Sequence, residues 1–258
     1  MNSNLQNNLL YLYGLLLKTG FLSTQLGRSV FEFVYLVYKE YFEAVGIKNL
    51  KKFIKPNSVI VDVGANIGFF TLYFAKWVRG SGYVIAIEPE IINYNRLNSR
   101  LKQYKMFNLV ETIQAVLIDK PGQAFIQVNP LHPGDHHVAD TGCPVSALAL
   151  DGILKERDWP NVSLIKIDVQ GTEVRVLKGA SETIQRDHPV IFVEVDEDRL
   201  LSYGDSIVTL LSPFIQMGYS MHILNKKCIS KPLTYNDVKR KVENSGYTDL
   251  LMLHPMSN

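Results

Sequence analysis

The stretch "VIVDVGANIGFF", residues 59–70, joins an apolar run to a carboxylate and a glycine-rich turn. Its polar and glycine positions alternate as Asp62, Gly64, Asn66 and Gly68. Glycine allows positive φ and lets a ligand approach the backbone closely. A helix that starts after such a turn offers N–H groups and the positive end of its dipole. The spacing therefore predicts a site for a nucleotide-like cofactor, and its alternative is a tight strand–helix connection with Asn66 as the helix cap.

The spacing excludes two common phosphate-binding turns. A dinucleotide fingerprint counted from Gly64 needs glycines where Asn66 and Phe69 stand, and the G-K-[ST] of a P-loop is absent. A second carboxylate, Glu88, ends the next apolar run, and it can accept both hydrogen bonds from a ribose diol. Asp62 disfavours phosphate, so the pair favours S-adenosylmethionine. The carboxylate of that cofactor can meet the turn N–H groups, and its ammonium can meet Asp62 or the Gly64 carbonyl.

Three more residues are candidates for the cofactor site because of their places on the predicted strands. Pro89 follows Glu88 directly. Gln114 and Ala115 end the third predicted strand, "TIQAV", and should flank the adenine. The placement of these two residues rests on strand order alone.

Asp168, Glu194 and His136 are the candidate catalytic residues. Asp168 closes the apolar run "LIKID" and Glu194 closes "VIFVE", so both should lie at the edge where ligands bind. His136 lies in "HPGDHHVAD", and an imidazole is a suitable base for a hydroxyl proton near neutral pH. Structural alternatives remain open, namely a turn former at Asp168, a backbone-bonded Glu194 and a solvated His136.

The same three side chains are also possible ligands for Mg²⁺ or Mn²⁺, which would acidify an acceptor hydroxyl. No spacing in the sequence specifies such a site, so no metal ligands are assigned. The His and Cys residues lack the spacing of a zinc finger.

Strand-like and helix-like segments alternate from residue 58 onward, and the strands are continuously apolar. This pattern predicts an α/β fold with a mostly parallel sheet covered by helices on both faces. We expect an N-terminal helical cap at residues 1–55 and a cofactor domain at residues 56–258. A hairpin with a loop is inserted in that domain at about residues 123–148.

Composition narrows the possible partners. The 258 residues include 27 basic and 25 acidic side chains, without long basic runs, so a nucleic-acid partner is not expected. The two cysteines, Cys143 and Cys228, fit a reducing compartment. The apolar run at residues 9–17 is about half of a membrane span. We expect a cytoplasmic protein whose N-terminal helices pack on the main domain as a cap. The alternatives for these helices are a substrate lid, a homodimer face and a peripheral membrane contact.

Five ordered segments within residues 55–225 resemble the FkbM family of S-adenosylmethionine-dependent methyltransferases: "VIVDVGANIGFFTLYFA", "IAIEP", "PGDHH", "LIKIDVQGTEVRVLKGA" and "PVIFVEVD". The resemblance implies a Rossmann-like class I fold, a seven-stranded sheet whose last strand is antiparallel, and O-methylation of a hydroxyl on a small molecule, glycan or natural product. It also implies cofactor roles for Asp62, Gly64, Asn66, Gly68 and Glu88. Gln170 and His137 depart from the residues more usual in the family. The alternatives are an NAD-type oxidoreductase and a non-catalytic cofactor-binding or membrane-docking partner protein.

Overall fold

A computed structural model describes most of the chain: residues 46–78, 80, 82–129 and 136–257, with the single residues Thr24, Gly27 and Val34. Most of the predicted N-terminal cap therefore lies outside the described residues. Its last part is a 3-10 helix, Ile47–Phe53, which buries Ile47, Leu50 and Phe53 in the core. Within the described ranges, no helix is long and apolar enough to cross a membrane.

The described residues form eleven strands: β1 (Val59–Val63), β2 (Tyr83–Ile87), β3 (Val110–Ile113), β4 (Val116–Leu117), β5 (Gly122–Gln127), β6 (His137–Ala139), β7 (Cys143–Leu148), β8 (Val162–Ile167), β9 (Val190–Asp196), β10 (Ser220–His222) and β11 (Tyr247–Leu253). The helices of the same ranges are α1 (Phe69–Trp77), α2 (Ile91–Gln103), α3 (Leu150–Lys155), α4 (Glu173–Lys178), α5 (Ser181–Asp187), α6 (Glu197–Ser202), α7 (Ile207–Gln216) and α8 (Tyr235–Ser245). Two short 3-10 helices, Phe107–Leu109 and Pro255–Ser257, complete the list.

The larger sheet has seven strands in the order β10-β11-β9-β8-β1-β2-β3. The central strands pair in parallel, and β11 runs antiparallel to both of its neighbours. The prediction of a mostly parallel seven-stranded sheet with an antiparallel last strand is thus confirmed. All five residues of β1 are buried because helices cover both faces of the sheet.

The two faces of the sheet bury different helices. Val59, Val61 and Val63 of β1 pack in a core cluster with residues of α3, α4, α5, α7 and α8. Ile60 faces the other way, into a cluster with residues of α1 and α2. Because side chains alternate along a strand, Asp62 shares the α1 face with Ile60. This alternation decides which helix meets the carboxylate.

A second sheet, in the order β4-β7-β5-β6, interrupts the alternation between β3 and β8. It encloses a small core of Val116, Ala124, Ile126, Val145 and Ala147. The sequence placed this excursion at about residues 123–148, whereas the sheet begins with β4 at Val116. Residues 130–135, between β5 and β6, lie outside the described part of the chain.

Candidate active site

Three predicted site residues emerge side by side at one edge of the large sheet. Val63 is in register with Ile87 of β2 and with Ile167 of β8. The residues that follow these positions are Gly64, Glu88 and Asp168. Because the three strands are parallel and adjacent, their carboxyl ends open into the same crevice, where α/β sheets bind ligands.

The glycine-rich turn is stabilised by its own amides. The N–H groups of Gly64 and Ala65 donate to the Ile87 carbonyl at 3.0 and 2.9 Å. The Asn66 N–H donates to Glu88 Oε2 at 2.8 Å. The Ile67 N–H donates to Asn66 Oδ1 at 2.7 Å, and the Gly68 N–H donates to the Ala65 carbonyl at 2.8 Å. The expected free N–H groups at residues 64–68 are therefore already bonded to protein acceptors. Asn66 does not cap α1, whose N-cap residue is Gly68.

Gly64 is required at its position for two reasons. Its φ is +74°, and a Cβ there would lie 1.9 Å from the backbone oxygen of Asp168. Gly204 has a similar φ of +78° but opens onto empty space. We expect Gly204→Ala to cost about 1–2 kcal/mol, the ordinary strain of a left-handed alanine. Gly64→Ala should cost clearly more, because β1 and β8 must separate as well. Urea unfolding of both variants measures the difference. Equal losses of unfolding free energy would contradict a collision between the Cβ at position 64 and the Asp168 backbone oxygen.

Glu88 is a buried carboxylate that connects the turn to the end of β2. Its exposed fraction is 4%. Oε2 accepts the Asn66 N–H and Oε1 accepts the Glu90 N–H at 3.0 Å. Burial raises the pKa of Glu88 to about 7, although these two hydrogen bonds oppose the shift. A carboxylate offers about four lone-pair positions, so two acceptor positions remain for a ligand diol.

The other predicted adenine-side residues lie next to Glu88 in space. The Gln114 side chain is exposed, and its Nε2 is 3.5 Å from the Pro89 carbonyl. Ala115 is fully buried and belongs to a core cluster. Gln114 and Pro89 therefore stay candidates for the ligand border, whereas Ala115 contributes through packing.

Lys166, which the sequence analysis did not single out, lies at the centre of the site. Its ammonium is 2.8 Å from the Gly64 carbonyl, 3.2 Å from Asp168 Oδ2 and 3.4 Å from Asp62 Oδ1. The residue is 2% exposed. The available signal was a lysine inside the apolar strand "VSLIKIDV". Lys166 occupies the two acceptors, Asp62 and the Gly64 carbonyl, that were expected to receive a cofactor ammonium.

Asp62 and Asp168 differ in their access to solvent. The Asp62 side chain is fully buried, and its Oδ2 accepts the Thr71 hydroxyl of α1 at 2.6 Å. The Asp168 side chain is 28% exposed. One lysine and two aspartates carry a formal net charge of −1, so the exposed end of this cluster is suited to a cationic group.

Glu173, at the start of α4, is a further buried carboxylate near this edge. Its Oε1 accepts the Gly171 N–H at 3.1 Å, and its Oε2 is buried without a hydrogen-bond partner. Burial raises the pKa of Glu173 to about 8, and the negative charges of Asp168 and Asp196 act in the same direction. The carboxyl group is therefore largely protonated at neutral pH.

Glu194 lies at the level of Asp168, as predicted, because Val193 of β9 is in register with Ile167 of β8, but it does not end its strand. Strand β9 continues to Asp196, and Glu194 pairs with Asp249 of β11 inside the ladder. Asp196, and not Glu194, stands at the end of the strand, where its side chain caps α6. The sequence analysis ended the strand too early, because an acidic residue in an apolar run resembles a strand end.

His136 belongs to the second sheet, just before β6. Its Nδ1 accepts the Asn129 N–H at 3.2 Å. With that lone pair engaged, a neutral imidazole carries its proton on Nε2 and offers a donor there. This tautomer suits a hydrogen-bond donor, whereas the predicted role was a proton acceptor.

Tyr203 ties β6 to the site edge. Its hydroxyl donates to the Val138 carbonyl at 2.5 Å. Its ring lies against Gly171, where a Cβ would be 2.6 Å from two ring carbons. The second sheet is thereby held to the loop that follows Asp168.

The structure does not gather the three possible metal ligands. Across the described ranges, no group of three or more His, Cys, Asp or Glu side chains is placed to hold a metal ion. Asp168, Glu194 and His136 therefore do not converge.

Comparison with known proteins agrees with this architecture. A family model described as the methyltransferase FkbM domain matches residues 62–221, more than half of the chain. The chain belongs to the FkbM methyltransferase family. The FkbM domain begins at Asp62 and includes Glu88, Lys166 and Asp168, so the whole sheet-edge cluster lies inside the match.

Three known methyltransferases are similar in sequence to about half of this chain. Methyltransferase sdnD from Sordaria araneosa is 28% identical over 57% of this chain and 68% of its own length. Hexuronic acid methyltransferase AglP from Haloferax volcanii is 25% identical over 56% of this chain and 59% of its own length. The 31-O-demethyl-FK506 methyltransferase FkbM from Streptomyces tacrolimicus is 26% identical over 50% of this chain and 62% of its own length. The chain thus spans roughly three fifths to two thirds of these relatives' lengths.

Proposed function

We propose that the protein transfers a methyl group from S-adenosylmethionine to a hydroxyl oxygen of a small molecule, glycan or natural product. The observation that carries this proposal is Glu88, a buried carboxylate with two acceptor positions left, beside a glycine turn without a phosphate-binding sequence. Membership of the FkbM methyltransferase family supports it. The names of two relatives, which specify a 31-O-demethyl compound and a hexuronic acid, support an oxygen acceptor.

The side chains present fit this cofactor. Glu88 accepts the ribose diol, and Gln114 and Pro89 border the adenine. The net −1 charge of the Asp62–Lys166–Asp168 cluster faces the cationic amino-acid end. A dinucleotide would bring two phosphate charges to a turn whose N–H groups are already engaged.

The chemistry that the bound cofactor supplies is an electrophilic methyl group on a sulfonium. In the transfer the C–S bond breaks, a C–O bond forms, and the hydroxyl proton leaves to a base. Orientation of the two reactants by the sheet edge can supply about 7–11 kcal/mol of barrier lowering, and a positioned base about 10²–10⁴-fold. Asp168 remains the predicted base for that proton, and His136 remains a predicted residue of the acceptor side.

Isothermal titration calorimetry with S-adenosylhomocysteine and with NAD tests the proposal. We expect binding of S-adenosylhomocysteine only, with an affinity that rises with pH through about 7, because the ionised form of Glu88 accepts the diol. Glu88→Gln should weaken binding at least tenfold and remove this pH dependence, since its amide group places a donor where acceptors are needed.

Glu90→Gln is the matched control for that variant. Glu90 is also a buried carboxylate that accepts two backbone N–H groups, but those amides belong to α2. At pH 8, where Glu88 is largely ionised with or without the nearby Glu90 charge, Glu90→Gln should leave the affinity for S-adenosylhomocysteine within about twofold. Binding of NAD instead, or equal affinity in wild type and Glu88→Gln, would overturn the assignment.

A further inference from the structure

Two basic segments that are far apart in the chain lie together on the surface. Residues 46–57 contain four lysines and residues 223–233 contain three, and neither segment contains an acidic residue. The Asn49 side-chain amide donates to the Asn225 carbonyl at 3.1 Å, and Gly46 packs so closely on that oxygen that a Cβ would collide with it. The two segments therefore form one surface, which we call the lysine surface.

The 3-10 helix of the first segment turns its lysines outward. Side chains three residues apart share a face of such a helix, and the apolar residues at every third position are buried. The other two faces carry Lys48, Lys51 and Lys52, and all three side chains are exposed. The helix thus lies on the core by one face and presents positive charge on the other two.

The second segment continues from β10 as a hairpin. Leu224 and Ile229 form an antiparallel bridge, so Lys226 and Lys227 lie at the hairpin tip and Lys231 follows on the returning side. These three lysines are exposed as well. Within the described ranges, no lysine of either segment pairs with a carboxylate, so the positive charge of the lysine surface is not neutralised there.

The composition of the lysine surface fits an anionic bilayer better than a nucleic acid. Nucleic-acid surfaces use arginine to contact base edges or aromatic rings to stack on bases. Both segments lack arginine, and their one aromatic side chain, Phe53, is 5% exposed. Beside them Met256 is 62% exposed, and its carbonyl accepts the Lys55 ammonium at 3.2 Å. Lysines around an exposed apolar side chain suit anionic headgroups and shallow insertion.

We propose that the lysine surface docks the protein on a lipid bilayer that contains anionic lipids. Lysines close to such a bilayer are attracted by its negative surface potential, and salt screens this attraction. The lysine surface contains none of the candidate active-site residues. The proposal is therefore independent of the proposed methyl transfer.

Vesicle flotation of the full chain tests the docking. One set of vesicles contains phosphatidylcholine and phosphatidylserine in equal amounts, and the other contains phosphatidylcholine alone. We expect the wild type to bind the phosphatidylserine vesicles about tenfold more tightly or better, and to lose this preference at high salt. The triple variant Lys226→Gln, Lys227→Gln, Lys231→Gln should bind them about tenfold more weakly or worse. Its urea unfolding should match that of the wild type, because the three side chains are exposed.

The triple variant Lys239→Gln, Arg240→Gln, Lys241→Gln is the matched control. It also removes three exposed positive charges, but from α8. The buried residues of α8, Val238 and Val242, belong to the core cluster on the other face of the large sheet from the 3-10 helix. Its affinity for the phosphatidylserine vesicles should stay within about twofold of the wild type.

The two cysteines report the contact directly, because both are free and exposed. Cys228 lies in the hairpin, whereas Cys143 begins β7 of the second sheet. An environment-sensitive fluorophore on Cys228 of the Cys143→Ser protein should shift to shorter wavelength with phosphatidylserine vesicles. The same fluorophore on Cys143 of the Cys228→Ser protein should not shift.

Equal wild-type binding to both kinds of vesicle would overturn the proposal, and so would equal losses in the two triple variants. Equal fluorescence shifts at the two cysteines would also contradict it. Binding of a single-stranded RNA oligonucleotide without binding of vesicles would assign the lysine surface to a nucleic acid instead. None of these outcomes bears on the proposed methyl transfer, which ligand titration tests separately.

Discussion

Replacing Glu173 with glutamine is expected to remove a loss of stability that the wild type suffers as the pH rises from about 4.5 to 8. The pKa of Glu173 is raised from 4.5 to about 8 in the folded protein, because the carboxyl group is buried. Between these values the folded state keeps a proton that the unfolded state has released. The stability that the protonated Glu173 gives to the folded state is therefore fully present below pH 4.5 and is lost as the pH rises through about 8.

The magnitude follows from the width of that window. Each unit of pKa difference corresponds to about 1.4 kcal/mol, so the window corresponds to roughly 5 kcal/mol of unfolding free energy. Urea unfolding at pH 5 and pH 8 measures the change in each protein, and the Glu88 titration, common to both, cancels in the comparison. The variant should gain several kcal/mol on the wild type between the two pH values.

Glu182→Gln provides the control, because Glu182 lies exposed on α5, close to Glu173 in the chain. Its stability should follow the wild type at both pH values. Equal changes in unfolding free energy between pH 5 and pH 8 for Glu173→Gln and wild type would show that the Glu173 carboxyl group does not hold its proton in the folded state.

Lys166→Met is expected to cost about 3–5 kcal/mol of unfolding free energy, because it leaves the Asp62 carboxylate buried without its partner cation. Asp62 is fully buried, and its Oδ1 has no hydrogen bond besides the 3.4 Å ion pair with Lys166. Methionine fills much of the same space, so the loss of the charge and not a cavity should dominate. Denaturant unfolding at constant pH measures the cost.

Removing the second charge should restore part of that stability. Asn at position 62 can still accept the Thr71 hydroxyl that now bonds to Asp62 Oδ2. The double variant Asp62→Asn, Lys166→Met should therefore be more stable than Lys166→Met alone. Its loss of unfolding free energy should be smaller than the sum of the losses in Asp62→Asn and Lys166→Met by an interaction energy of about 1–3 kcal/mol. Additive losses in the two single variants would mean that the pair makes no energetic contribution of its own.

The main sheet could be predicted from local pattern. β1, β2, β8 and β9 are short apolar runs separated by helix-length segments, and such runs bury both faces of a parallel sheet. The side-by-side placement of Gly64, Glu88 and Asp168 follows from the same pattern, since each residue directly follows a parallel strand. The second sheet was predicted only as an excursion, because its antiparallel pairing joins segments whose turn lies in a polar loop without a readable period.

The sequence by itself determined the parallel sheet, the edge where the site lies and the kind of turn that β1 enters, because these depend on local hydrophobic period and residue spacing. Only the tertiary structure decided the partners of Lys166 and the pairing of Glu194 with β11. Lys166 meets Asp62 through the pairing of β1 with β8, a register between residues far apart in the chain. The sequence does not distinguish a buried lysine from an exposed one. The two differ greatly in energy because the buried ammonium is desolvated, and this desolvation occurs only when the strands pack.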